Sequence, residues 1–297
     1  MSTLTNPKLA SIEPADTTDP AVSGRSQIIT HYEDKYQLHW LYMNPKPRAC
    51  FNPIMVKEIS QLFQQLHQQN EIPSTHHMRY QVLASNIRGI FNLGGDLEMF
   101  KNMILNKDKQ ALRQYAYTCV ETMYAIATLH QKGITQIALV QGDALGGGLE
   151  MALAADVIIA EKSAKAGFPD ILFNSFPGIG AYTFLSRKIG ISMTERMILS
   201  GKIYSAEELY NLGVIDVLAE DGQGEMAVYS YLAKENRCEN AISSLRKIRQ
   251  LHTPLEFKQL MDVADLWVES SMQLNSRDIR MIERLISKQN NFSSYAA

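Results

Sequence analysis

Two carboxylates and two glycine-centred turns hold most of the chemistry this sequence offers. Glu150 lies in the run Gly146-Gly147-Gly148-Leu149-Glu150-Met151-Ala152-Leu153, which carries it into apolar surroundings. Asp170 follows in Gly167-Phe168-Pro169-Asp170-Ile171-Leu172. Burial disfavours a charged carboxylate and raises its pKa, which poises the group for proton transfer near neutrality. Each acid also has a plainer reading. Glu150 fits a carboxylate placed at the positive end of a helix, and Asp170 fits a turn residue after proline.

The two turns are Phe91-Asn92-Leu93-Gly94-Gly95-Asp96 and Gly142-Asp143-Ala144-Leu145-Gly146-Gly147-Gly148. Each follows a β-rich run and precedes a helical one. Glycine lets the backbone approach a ligand with no Cβ in the way, and amides at a helix start lack an intrahelical acceptor. Brought together, two such turns would aim two donors at one carbonyl oxygen, the arrangement of an oxyanion hole.

Positioning those groups requires a particular order of elements. Gln27–Tyr32 and Tyr36–Met43 are β-rich and separated by Glu33-Asp34-Lys35, which predicts a hairpin; residues 44–51 form a loop punctuated by Pro45 and Pro47. Met55, Ile59, Leu62, Phe63 and Leu66 recur at helical spacing across Pro53–Gln69. A β run at Tyr80–Ala84 precedes the first glycine turn, and Leu112, Tyr115, Cys119, Met123 and Ile126 predict a helix over Lys109–His130. A buried strand at Gln136–Gln141, a short helix over Glu150–Ala154 and a strand at Val157–Ala160 follow. This alternation predicts an α/β domain. Beyond Ser192 the pattern is mostly helical. Ser205-Ala206-Glu207-Glu208 reads as a capping box, Gly213 as its helix's end, Val214–Leu218 as a strand, and Glu225–Gln289 as about three helices. The expected organisation is a disordered polar arm at residues 1–25, a core domain at 26–222 and a helical region at 223–297.

Composition removes several function classes. The chain has 297 residues, is 45% hydrophobic and 20% charged, and sets 29 basic against 31 acidic side chains. That balance leaves no electrostatic footprint for nucleic acid or an anionic membrane. No run approaches the ~18 apolar residues of a membrane span. Residues 1–26 lack a basic region followed by an apolar stretch, so no signal peptide is expected. Cys50, Cys119 and Cys238 are odd in number and far apart, which suggests reduced thiols and a cytoplasmic setting. Neither cysteine of the core region has a histidine motif beside it to activate a thiolate. His76-His77 lacks the i,i+4 spacing of a helical metal pair. No G-x-S-x-G nucleophile elbow occurs, and Gly178-Ile179-Gly180 lacks the third glycine of a dinucleotide fingerprint. No metal constellation is present in the sequence.

Four segments taken together resemble the crotonase (enoyl-CoA hydratase/isomerase) superfamily. They are FNLGGD (91–96), QGDALGGGLEMALAADVIIA (141–160), GFPDILFNSFPGIGA (167–181) and YSAEELYNLGVIDVL (204–218). They occur in the family's order, and the resemblance spans roughly Gln27 to Glu220. It implies an α/β crotonase-like ββα superhelix with a C-terminal helical region that packs subunits into trimers or hexamers. The apolar run Leu260, Val263, Leu266, Trp267, Met281 and Leu285 suits that subunit contact. By position, the resemblance implies oxyanion amides at Leu93 and Gly147, with Gly94 and Gly146 beside the bound thioester, and catalytic carboxylates at Glu150 and Asp170. The family carries glutamate where this chain has Asp170. One methylene fewer shortens the reach by ~1.3 Å, and a misplacement near 1 Å can cost ~100-fold in rate.

A narrower resemblance, to the bacterial diffusible-signal-factor synthases, rests on WLYM (40–43), PRACFNP (47–53), FNLGGDLEMF (91–100), FNSFPGIGAY (173–182) and the Trp267 region. It implies dehydration of a 3-hydroxyacyl thioester on acyl carrier protein or CoA to the cis-2-enoyl form, then hydrolysis to a free unsaturated fatty acid, a quorum-sensing signal. It also implies an acyl tunnel lined by Ile179, Trp267 and Leu285. Acyl carrier protein is then a partner. The only cofactor chemistry is the substrate's own phosphopantetheine arm. The alternatives are an ordinary enoyl-CoA hydratase/isomerase, or a non-catalytic crotonase-fold protein that binds acyl thioesters.

Overall fold

The computed structural model describes residues 26–69 and 78–293. The expected arm at 1–25 and the His76-His77 pair lie outside the described residues. The predicted hairpin forms: β1 (Ile28–Glu33) pairs antiparallel with β2 (Leu38–Met43) across a 3-10 turn at Asp34–Tyr36. Helix α1 (Pro53–Gln69) has the predicted bounds and buries Met55, Ile59 and Phe63 completely. Each such side chain contributes ~1.5–3 kcal/mol relative to exposure.

The chain then repeats a strand–strand–helix step. The first repeat is β3 (Tyr80–Ser85), β4 (Gly89–Asn92) and α2 (Leu97–Leu105), extended by α3 (Lys109–Thr128). The second is β5 (Thr135–Val140), β6 (Gly142–Leu145) and α4 (Gly147–Leu153). The third is β7 (Val157–Glu161), β8 (Lys165–Gly167) and a 3-10 helix at Pro169–Phe173. Helices α5 (Ala181–Ile189) and α6 (Ile191–Ser200), strand β9 (Ile203–Ser205), helix α7 (Ala206–Asn211) and strand β10 (Val217–Ala219) complete the core.

The first strand of each repeat joins a six-stranded sheet ordered β1-β2-β3-β5-β7-β10, and the second joins a four-stranded sheet ordered β4-β6-β8-β9. From β2 to β10 the larger sheet is parallel. Parallel neighbours need crossover connections that cover both faces, and every residue of β3, β5 and β7 is buried accordingly. The fold class is therefore the expected α/β one, built from a repeating strand–strand–helix unit.

The smaller sheet builds the site. Asn92 pairs with Ala144, and Leu145 pairs with Gly167. This register sets the turns after β4, β6 and β8 side by side, so Gly94-Gly95, Gly146-Gly147 and Asp170 converge.

Two element assignments need correction. The strand expected at 214–218 starts only at Val217, because the Val214 and Ile215 amides both donate to Leu209 O and close α7 instead. The capping box itself forms, with Glu208 N donating to Ser205 Oγ and Ser205 N to Glu208 Oε2. The C-terminal region holds four described helices rather than three: α8 (Gly224–Arg237), α9 (Glu239–His252), α10 (Phe257–Ser271) and α11 (Ser276–Ser293). Cys238 breaks the first pair with no glycine or proline to announce it.

Part of the apolar run assigned to subunit contacts is buried within the chain. Leu260 and Trp267 of α10 join the main core beside α3, whereas Leu266 stays 63% exposed. No described helix is long and apolar enough to cross a membrane.

Candidate active site

A cavity of about 200 Å³ is walled by the three turns that follow β4, β6 and β8. Its lining includes the polar candidates Gly94, Gly146, Gly147, Glu150 and Asp170. Leu93 and the three acyl-wall candidates Ile179, Trp267 and Leu285 line the same space. Phe100, Ile104, Phe173 and Ile282, which sequence reasoning missed, extend the apolar part of the wall.

Buried backbone groups must find partners, so the first turn can be accounted for group by group. Leu93 N donates to Ala49 O at 2.8 Å. Gly94 N donates to Asn92 Oδ1 at 2.8 Å, while Gly94 O accepts from Phe51 N at 2.7 Å. Asp96 N donates to Phe51 O, and Leu97 N donates to Gln289 Oε1. Gly95 N is the amide of this turn left without a partner among the described residues. The assignment of Leu93 as a donor is thus corrected: strand-like pairing with the 49–51 loop consumes its N–H. The Gly-Gly-Asp segment marked the right turn, but which amide stays free depends on that loop.

Gly147 N heads α4, where no preceding carbonyl is in helical register. A Cβ built on Gly147 would sit 3.5 Å from Gly95 N, so the two glycine turns pack against each other. Gly94, at φ +85°, permits this approach: a side chain there would come within 2.8 Å of Leu145 O.

Glu150 is 3% exposed, and its Oε1 accepts from the amides of Ile179, Gly180 and Ala181, each at 2.9 Å. It therefore is a capping carboxylate, but for α5 rather than for its own helix. Burial raises its pKa, while the three amides pull in the opposite direction by stabilising the anion. Its Oε2 takes none of these bonds.

Asp170 sits in the 3-10 helix opened by Pro169. Its Oδ2 is buried without a hydrogen-bond partner. Burial, reinforced by the negative charge of Glu150, pushes the Asp170 carboxyl up to about 7. Gly146, at the positive φ of +50° that favours glycine, lies beside this acid: a Cβ there would stand 3.5 Å from Asp170 Oδ2, an ordinary contact. Three donors favour charge on Glu150, and a donorless buried oxygen favours the neutral form of Asp170. When the pair holds one proton, that proton rests on Asp170.

The cysteines take no part in this arrangement. Burial pushes the thiols of Cys50 and Cys119 up to about 12, and both pack in the interior.

The sequence profile of the enoyl-CoA hydratase/isomerase family matches residues 41–288. A probable mitochondrial enoyl-CoA hydratase 2 of Arabidopsis thaliana is 27% identical over 255 residues, covering 85% of this chain and 75% of that protein. A solved enoyl-CoA hydratase from Bacillus halodurans superposes with a TM-score of 0.74 at 22% identity, over 87% of this chain and 100% of that one. Pseudomonas aeruginosa DspI superposes with a TM-score of 0.67 at 23% identity, over 83% and 93% respectively. Both structural likenesses speak to the fold.

Proposed function

The chain belongs to the enoyl-CoA hydratase/isomerase family, and on that premise we propose that it dehydrates a 3-hydroxyacyl thioester to the 2-enoyl thioester and hydrolyses the latter to a free unsaturated acid. The observation that carries this reading is the meeting of two raised carboxylates with two uncommitted amides on one cavity wall.

The thioester carbonyl oxygen accepts from Gly95 N and Gly147 N, which stabilise enolate charge as it develops; losing one such donor typically costs ~10² to 10³ in rate. Gly94 and Gly146 hold the backbone open around that oxygen. Asp170 faces C2 and Glu150 faces the hydroxyl at C3. Dehydration starts from the less favoured placement of the pair's single proton, on Glu150: the Asp170 carboxylate takes the C2 proton while protonated Glu150 gives its proton to the departing hydroxyl, which leaves as water. The proton ends on Asp170, where the electrostatics favour it. The hydrolytic step needs a water held by a carboxylate near the carbonyl carbon. The same two amides bind the tetrahedral oxyanion, and the carrier leaves as its thiol. Ile179, Trp267 and Leu285, with Phe100 and Ile104, take the acyl chain. The carrier is CoA or acyl carrier protein. The free acid is then a diffusible signal of the kind made by the synthases that the 91–100 and 173–182 segments resemble.

One observation favours a second reading. The proton on Asp170 is also the starting state for adding water to a 2-enoyl thioester, so a hydratase that stops at the thioester would use the same pair. Mass analysis of products from 3-hydroxydecanoyl-CoA and 3-hydroxydecanoyl-carrier-protein separates the two. The dehydratase–thioesterase reading expects 2-enoyl thioester followed by free 2-decenoic acid. Thioester alone makes the protein a hydratase, and no product from either substrate leaves a binding protein.

A further inference from the structure

We propose that Gln289, on the C-terminal helix, is a positioning residue that sets the first glycine turn, so that Gly95 N is aimed only when α11 is docked. The proposal rests on the reading of Gly95 N as a thioester donor. Gln289 is 5% exposed, and its side chain spans the turn from above. Its Nε2 donates to Leu93 O at 3.2 Å and to Gly95 O at 3.0 Å, and its Oε1 accepts from Leu97 N at 3.4 Å.

Those contacts fall on the right groups. A peptide unit is planar, so fixing its carbonyl fixes the direction of the N–H it shares the plane with. Leu93 O and Gly95 O belong to the units that flank the Gly94–Gly95 unit, the one bearing Gly95 N. That central unit is pinned by Phe51 N on Gly94 O at 2.7 Å. Gln289 therefore holds the two outer planes while the 49–51 loop holds the middle one. An apolar side chain would pack equally well under α11 but would leave both carbonyls without donors. Arg48 fastens the far end of the turn by pairing with both oxygens of Asp96 at 2.8 and 2.7 Å.

The same helix also reaches the acid. Ile279, Ile282 and Ile286 of α11 pack with Phe173 from the 3-10 helix that carries Asp170, and Asn174 Nδ2 donates to Asp278 Oδ2. One element thus braces the oxyanion turn through Gln289 and the acid-bearing turn through its apolar face, while Ile282 and Leu285 wall the cavity between them.

The test uses Gln289→Met, which keeps length and volume but offers no hydrogen bond. A 2,4-dienoyl-CoA is the probe, because hydrogen bonds to a conjugated carbonyl shift its absorbance to longer wavelength. The wild type should show the shift on binding. The variant should keep its melting temperature within a few degrees and bind the probe comparably, yet lose most of the shift. Its kcat should fall roughly 10- to 100-fold with little change in KM. If Gln289→Met unfolds, Gln289→Leu, which likewise offers no hydrogen bond, replaces it. A variant with the full shift and kcat of the wild type overturns the role of Gln289 alone. A wild type with no shift overturns the donor reading of Gly95 and Gly147, and this proposal with it.

Discussion

Asp170 holds a proton near neutrality because burial and the charge of Glu150 both oppose its ionisation, and that has two measurable consequences. Adding water to a 2-enoyl thioester needs Asp170 protonated, so kcat/KM in that direction should hold below about 7 and fall as pH rises through about 7. A pH profile flat from 6 to 9 would remove Asp170 as the proton donor. The second consequence is for stability. An unfolded aspartate loses its proton near ~3.9, whereas folded Asp170 keeps it to about 7. Between those values the folded chain binds more protons, so its stability falls as pH rises and stays reduced above about 7. Asp170→Asn should therefore gain stability relative to the wild type by roughly 1–4 kcal/mol between pH 4 and pH 8. Urea unfolding at the two pH values checks this, and an unchanged difference would contradict it. Both acids were legible as candidates because apolar residues flank them and because the motif resemblance falls on their positions. The free amide was legible only to within one turn. Nothing in residues 91–96 reveals that Ala49 O consumes Leu93 N. Gln289 gave no signal, because a glutamine on a mostly polar helix reads as solvent-facing.

At the scale of elements, the site depends on close approaches between segments distant in sequence. Trp267 of α10 lies directly on Gly178, where an added Cβ would stand 2.2 Å from the indole Cγ. Gly178→Ala must displace Trp267 from the cavity wall, at a cost of ~1–3 kcal/mol for overpacking. KM for a medium-chain thioester should rise several-fold while kcat changes less. An unaltered KM would show that Trp267 does not line the acyl path. Long periodic elements such as α1 and α3 were legible to within a residue or two at each end, because their apolar faces repeat over many turns. Strands β6, β8 and β9 span only three or four residues each, too few for alternation to show in the sequence. The register of that small sheet is what assembles the site, so the sequence named the site's parts without showing how they meet.

At the scale of the molecule, α9 has no buried residue and presents Leu245, Ile248 and Leu251 at 63%, 48% and 83% exposure. Closed symmetry is the usual way to cover such a face. The expected association into trimers should give a light-scattering mass near three chains of 33.5 kDa at micromolar concentration, and Leu251→Asp should lower it; a monomer mass for the wild type would contradict it. The chain as a catalyst stands or falls on Glu150 and Asp170. Glu150→Gln and Asp170→Asn keep size while abolishing charge and titration, so each should slow release of 2-enoyl product from a 3-hydroxyacyl thioester by ~10²-fold or more. The most direct measurement is that release rate for both variants beside the wild type, with folding verified for each. Rates near the wild-type value in both would mean that the two carboxylates do not perform the reaction.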